Sequence, residues 1–217
     1  MTEQFRYTDE RFADIQMLRY RLDGFEALTL RQKLYIYYLA KATLCGRDIT
    51  TDQFGRYNLR IRKVLEAIYE RYEGDRTTVE YKALETYLKR VWFSNGIHHH
   101  YSTDKFVPGF SRDFLEAQIA ALPEGKAPAE TAELVEVIFN PELLAKRVNQ
   151  AQGADLVATS ANNFYAPGIT QAEVEAYYAG KKKADDPTPI SYGLNSRMER
   201  DADGKLTENV YRLGGLY

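Results

Sequence analysis

Phe12, Ile15, Leu18 and Leu22 recur at steps of three and four, which places them on one helical face and predicts a first helix ended by Gly24. Thr29 and Gln32 form a capping-box pair ahead of LRQKLYIYYLAKATLCG, with Gly46 expected to close that helix in a left-handed conformation. Asn58 is the expected cap of a third helix, NLRIRKVLEAIYERYEG, whose stripe is Ile61, Leu65, Ile68 and Tyr72 and whose stop is Gly74. A fourth begins at Thr77, with Glu80 three residues on, and carries Leu84, Leu88, Val91 and Trp92 to a break at Asn95 and Gly96. Four amphipathic helices in sequence need one another to bury their stripes, so they are expected to pack as a bundle.

Ser111 is the expected cap of a fifth helix with Phe114, Leu115, Ile119 and Leu122 inward, followed by the linker LPEGKAPAE. Two more helical pieces are expected, TAELVEVIF and PELLAKRVNQ, the second with Asn140 as cap and Pro141 at its first position. The texture then changes. ADLVATSANNFYAP is rich in β-branched and aromatic residues and reads as extended, and Thr170 with Glu173 opens a short helix, QAEVEAYYAGKKK. PISYGLNSRMER and ENVYRLGGLY read as two strands joined around DADGK, whose Asp-Gly is a turn signal.

The expected fold class is therefore α+β: a mostly helical bundle followed by a small, mainly antiparallel sheet of about three strands around one helix. The chain divides into residues 1–122, helical with a loop at 95–110; 123–153, linker and helices; and 154–217, the small sheet with one helix. The apolar ending LGGLY, without a polar tail, gives the expectation that further chain follows and that all three stretches belong to one lobe of a larger protein.

Composition narrows the function classes. At 217 residues, 44% hydrophobic and 28% charged, the chain can bury a core without staples. Its 29 basic and 31 acidic residues leave a formal charge of -2, which suggests neither nucleic acid nor an anionic membrane as partner. Cys45 is alone, so no intrachain disulfide forms. The start, MTEQFRYTDERFADIQ, lacks the regions of a secretion leader, and no apolar run reaches the ~20 residues of a membrane span. A cytoplasmic location is expected, or a periplasmic one if a leader has been removed.

All three histidines, His98, His99 and His100, stand in a row within WFSNGIHHHYSTDKFVPGF. A zinc centre needs about three converging ligands, whereas consecutive residues of an extended segment point to alternate sides. With no Cys pair and no His-Glu-x-x-His pattern, no metal site is expected in this chain. A Gly-x-Ser-x-Gly elbow, a phosphate loop and a Rossmann glycine set are likewise absent from the sequence, and no catalytic residue is assigned. Residue pairs such as Glu70 with Glu73 read as solvated helix faces, and the tyrosines as sealing residues whose hydroxyls reach water. The histidine stretch remains as a polar and aromatic wall, suited to holding peptide or sugar groups, or else as the packing of a helix end.

LKRVWFSNGIHHHYSTDKFVPGFS, preceded by FADIQMLRYRLDGFEALTLRQKLYIYYLAKATLCGRDI and followed by ISYGLNSRMER, resembles the amino-terminal part of dipeptidyl peptidase III, specifically its bacterial branch. The resemblance implies a zinc-dependent exopeptidase that removes dipeptides from peptide amino termini, built as two lobes around a wide cleft. That family's zinc is held by a His-Glu-x-x-Gly-His motif and a later Glu-Glu-x-x-Arg motif, and neither occurs in these 217 residues. This chain is similar to the start of the family's lower lobe, and its late strands would belong to an incomplete β-barrel.

By that resemblance Tyr101 and His100 are the expected peptide contacts, with Asn95, His98 and His99 shaping the loop and Asn162 and Asn163 on the barrel's cleft side. The expected function is a non-catalytic, substrate-facing segment of a zinc exopeptidase, with no cofactor in this segment and zinc in the parent enzyme. Its partners would be a peptide substrate and the missing catalytic lobe of the same chain. The alternative is a stand-alone peptide-binding or protein-interaction module without catalytic activity.

Overall fold

The computed structural model describes residues 5–212; the LGGLY run at 213–217 lies outside them. Thr8–Phe12 (β1) and Ile15–Leu18 (β2) pair antiparallel, where the spacing of Phe12, Ile15, Leu18 and Leu22 predicts a helix. Phe12 pairs with Ile15 across a two-residue turn in which Ala13 has φ 48, a left-handed value that no helix continues through. Of the four apolar residues only Ile15 is buried, and Leu18 and Leu22 stand in solvent.

Leu30–Cys45 (α1) opens on the predicted box: Thr29 Oγ1 accepts from the Gln32 backbone N–H at 3.3 Å, and Gln32 Oε1 accepts from the Thr29 N–H at 2.9 Å. Gly46 is right-handed, with φ -83, so the chain turns directly into an unpredicted helix, Arg47–Phe54 (α2). α2 is fastened from below. Buried Arg62 donates to Thr51 Oγ1 at 3.0 Å and pairs with Asp48.

Asn58–Arg71 (α3) and Val79–Ser94 (α4) follow. Asn58 is the first residue of α3 rather than its cap, because its side chain is turned away to accept the N–H of Ile97. Thr78, not Thr77, caps α4; Asp75 has already engaged the N–H and hydroxyl of Thr77 at 2.8 and 2.7 Å. Arg112–Ala120 (α5), capped by Ser111, and Thr131–Phe139 (α6) form as expected.

Leu65, Leu84, Leu88, Val91, Leu115 and Val135 have no exposed surface and define the main core between α3, α4, α5 and α6. The bundle is therefore not made by the first four predicted helices. α1 buries none of its residues. Three residues after α4, Ile97, Phe106 and Phe110, close the core from the side of the histidine stretch.

PELLAKRVNQ does not form a helix. Asn140 Oδ1 accepts from the Glu142 N–H at 3.0 Å, as a cap would, but Leu144 takes φ 55 and the turn ends. ADLVATSANNFYAP holds no regular strand; Tyr165 makes one parallel bridge to Met198. Gln171–Ala179 (α7) carries both halves of the Thr170–Glu173 capping box. Ser196–Arg200 (β3) and Leu206–Val210 (β4) pair antiparallel from Ser196↔Val210 to Arg200↔Leu206, around a turn in which Asp201 accepts the N–H groups of Asp203 and Lys205. Ile169, Val174 and Met198 make a second, smaller core. The architecture is α+β, with two separate two-stranded sheets and no closed barrel among the described residues.

Candidate functional site

The loop predicted at 95–110 is a hairpin. Phe106 donates to the Ile97 carbonyl at 2.8 Å and His99 to the Asp104 carbonyl at 2.7 Å, and Thr103, at φ 64, donates back to His99 at 3.1 Å. Asn95 starts it: as the C-cap of α4 with φ 54 it adopts the left-handed conformation that asparagine tolerates, and Gly96 follows at φ 156. Further stretches are stitched alongside. Arg147 donates to Thr103 at 2.9 Å, Lys105 to Ala145 at 3.1 Å, and Asn162 to Arg147 at 3.2 Å.

The three imidazoles have three different fates. His98 pairs directly with Lys105 across the hairpin, so their side chains share a face, and that face is turned into the protein. His98 Nε2–H donates to the Leu144 carbonyl at 2.7 Å, while the Lys105 ammonium donates to the carbonyls of Val137 at 3.0 Å and Leu143 at 2.5 Å and to that of Asn140. His99 Nδ1 accepts the N–H groups of Tyr101 and Ser102 at 3.1 and 3.0 Å, so it carries no proton. The ring proton sits on Nε2 and donates to Asp14 Oδ2 at 3.0 Å, at the tip of the β1–β2 hairpin. His100 lies exposed, its ring edge-on to Phe93 at 4.8 Å.

These engagements decide the chemistry. His99 is oriented by a carboxylate, as a catalytic base would be, but both of its nitrogens are in use and it has no lone pair to offer a substrate. His98 is buried with its Nε2 committed. The residues present do not fit a zinc ion, and among the described residues no three His, Cys, Asp or Glu side chains converge where a metal could sit.

What the hairpin does present is Tyr101. Its backbone is held by His99 Nδ1, yet its side chain is 89% exposed and has no hydrogen bond or ring contact among the described residues. His100 stands beside it, with its carbonyl accepting from Arg147 at 3.1 Å, and Arg147 itself lies over the Phe54 ring at 4.4 Å. Asn162 is spent locally, its amide donating to the Arg147 carbonyl at 3.3 Å. Asn163 is buried, and its backbone N–H donates to the Gln53 carbonyl of α2 at 2.8 Å.

Sequence reasoning missed the residues that hold the tip. Asp14 was hidden by the helical spacing around it; it binds Arg90 as well as His99. Burial raises its pKa, but its own backbone N–H, Arg90 and His99 together bring it below the ordinary carboxylate value. Lys105 sits in an unpatterned stretch, where only the alternation of His98 with Lys105 across a tight loop could have pointed to it, and Arg147 lies in PELLAKRVNQ, where the expected helix concealed its reach to the tip.

Burial pushes the His98 pKa down from 6.5 to about 4, with the Leu144 bond opposing. The unfolded chain takes up this proton near pH 6.5 and the folded chain only near pH 4, so this group's stability is complete above 6.5 and lost as pH falls through that window. The total is about 3 kcal/mol. Urea denaturation at steps from pH 7 to 4 should show this slope, and His98→Gln should be less stable at pH 7 but flatter across the range. An equal slope in the variant would assign the loss to other groups.

Compared with curated proteins, the chain is 24% identical over 204 residues, 89% of its own length, to dipeptidyl peptidase 3 of Dictyostelium discoideum. It spans 27% of the length of that protein. No protein-family profile matches the sequence.

Proposed function

We propose that this chain is the substrate-facing, non-catalytic portion of a dipeptidyl peptidase 3-like peptidase, and that the hairpin tip contacts the bound peptide. The observation that carries this reading is the contrast at Tyr101, a pinned backbone under a free aromatic side chain. Such a residue offers a peptide a flat apolar face and a hydroxyl at little ordering cost, since only its own two torsions remain to be fixed. His100 adds an imidazole, and Arg147 keeps the tip from yielding under load.

The similarity to the Dictyostelium enzyme supports the substrate class. In this reading the residues of this chain bind and orient, and zinc, held by residues outside it, would activate water and polarise the scissile carbonyl. Nothing in the hairpin takes or gives a proton during the reaction.

The test is Tyr101→Ala in the polypeptide that carries the catalytic remainder. kcat/KM for a dipeptidyl arylamide should fall about tenfold, chiefly through KM, while the melting temperature stays within about 1 °C because the ring buries nothing. Unchanged kinetics would remove the tip from the substrate site.

A further inference from the structure

α1 is apolar around its whole circumference. Leu34, Leu39 and Leu44 are 46%, 48% and 66% exposed. Steps of five residues turn a helix by roughly 140°, so these three point in three different directions. Tyr35 and Ile36 lie exposed between them, and the helix's charges, Arg31, Lys33 and Lys41, are interleaved with Leu34, Tyr37 and Leu44 and so make no face free of apolar residues. No residue of α1 is buried, and it touches the rest of the fold mainly at α2. A helix apolar on every side is one built to be surrounded.

Three kinds of surroundings can be compared. A bilayer surface takes a helix with one apolar and one charged face, which α1 lacks, and no helix among the described residues is long and apolar enough to span a membrane. A second copy of the chain, pairing α1 with α1, would cover one stripe and leave the opposite side wet. Only a body of several elements covers all three leucine directions.

We propose that α1 is the docking element by which this chain is embedded in the remainder of a longer parent polypeptide, whose apolar elements wrap it on more than one side. This rests on the reading above, in which the chain corresponds to part of a longer peptidase; the length of the Dictyostelium relative beyond the matched portion is ample for such a body.

The experiment pairs the 217-residue chain with the remainder of its gene product, expressed separately from the residue after Tyr217, and measures association by sedimentation. Leu34→Asp and Leu39→Asp, on different sides of α1, should each weaken a one-to-one complex at least tenfold. Both isolated variants should keep the circular dichroism and nearly the melting temperature of the parent chain, since neither leucine is buried there, which separates lost docking from lost folding.

Association indifferent to both substitutions would overturn the proposal. So would a self-dimer of the chain abolished by one of them, binding of the chain to phosphatidylcholine–phosphatidylserine vesicles through α1, or a gene that stops at Tyr217. A complex that forms through α1 yet leaves a dipeptidyl arylamide intact would remove the peptidase reading and leave the docking element standing.

Discussion

Lys105→Met should destabilise the chain by about 4 kcal/mol, the largest single loss expected from a polar residue here. In a continuing helix the Val137 carbonyl would accept from residue 141, which is proline and has no N–H. The Lys105 ammonium supplies that donor and serves Asn140 and Leu143 with the same group, so removing it strands the Val137 and Leu143 carbonyls and leaves that of Asn140 only the Leu143 N–H at 3.3 Å. Lys105→Arg should recover little, since a planar fork cannot converge on three carbonyls around one point. Urea denaturation at pH 7 measures both; a loss under about 1 kcal/mol for the methionine variant would mean that water replaces the ammonium without cost.

Gly96→Ala should cost nearly as much. Its φ of 156 is glycine territory, and an added Cβ would stand 2.1 Å from Asn58 Nδ2 and 2.6 Å from Asn58 Cγ. Asn58 cannot give way easily: it is buried, accepts from Ile97, and is closed on its other side by Gly55, whose own Cβ would come within 2.8 Å of the same nitrogen. Backbone strain and overpacking together are worth about 4 kcal/mol. The double variant Asn58→Ala, Gly96→Ala should be less damaged than the sum of the single changes by at least about 1 kcal/mol, because the clash needs both side chains. Simple additivity would leave only the backbone term.

Much of the helical half could be read directly. The capping boxes at Thr29 and Thr170 and the cap at Ser111 form as expected, because each is a local arrangement of a few residues that needs no partner from elsewhere. Errors arose where a distant group claimed a local residue. Asn58 looks like a cap but is drawn to Ile97; Asn140 begins to act as one, but Lys105 and His98 hold the carbonyls around it and the helix fails. The 12–22 segment satisfied a helical spacing by coincidence, since the turn at Ala13 and Asp14 carries no glycine to announce it.

At the site, the histidine stretch and Tyr101 were visible as a cluster, and their divergence follows from the alternation of an extended chain. Which imidazole faces inward was not visible, because it depends on Leu144 and Asp14, respectively 46 and 85 positions from the histidines they bind. Asn162 and Asn163, expected on the cleft side by the resemblance, lie in a stretch that forms no regular strand; the Asn162 amide donates to the Arg147 carbonyl and the Asn163 backbone N–H to that of Gln53.

Along the stem the hairpin is fastened by side chains, His98 and Lys105 gripping the turn after α6 and His99 gripping Asp14, whereas Arg147 and His99 Nδ1 hold the tip by its backbone groups. Above them only His100, Tyr101 and Ser102 remain as an interchangeable headpiece. Natural variation or laboratory selection can therefore rewrite those side chains without reopening the question of how the chassis folds, an evolvability that a tip woven into the core would forfeit.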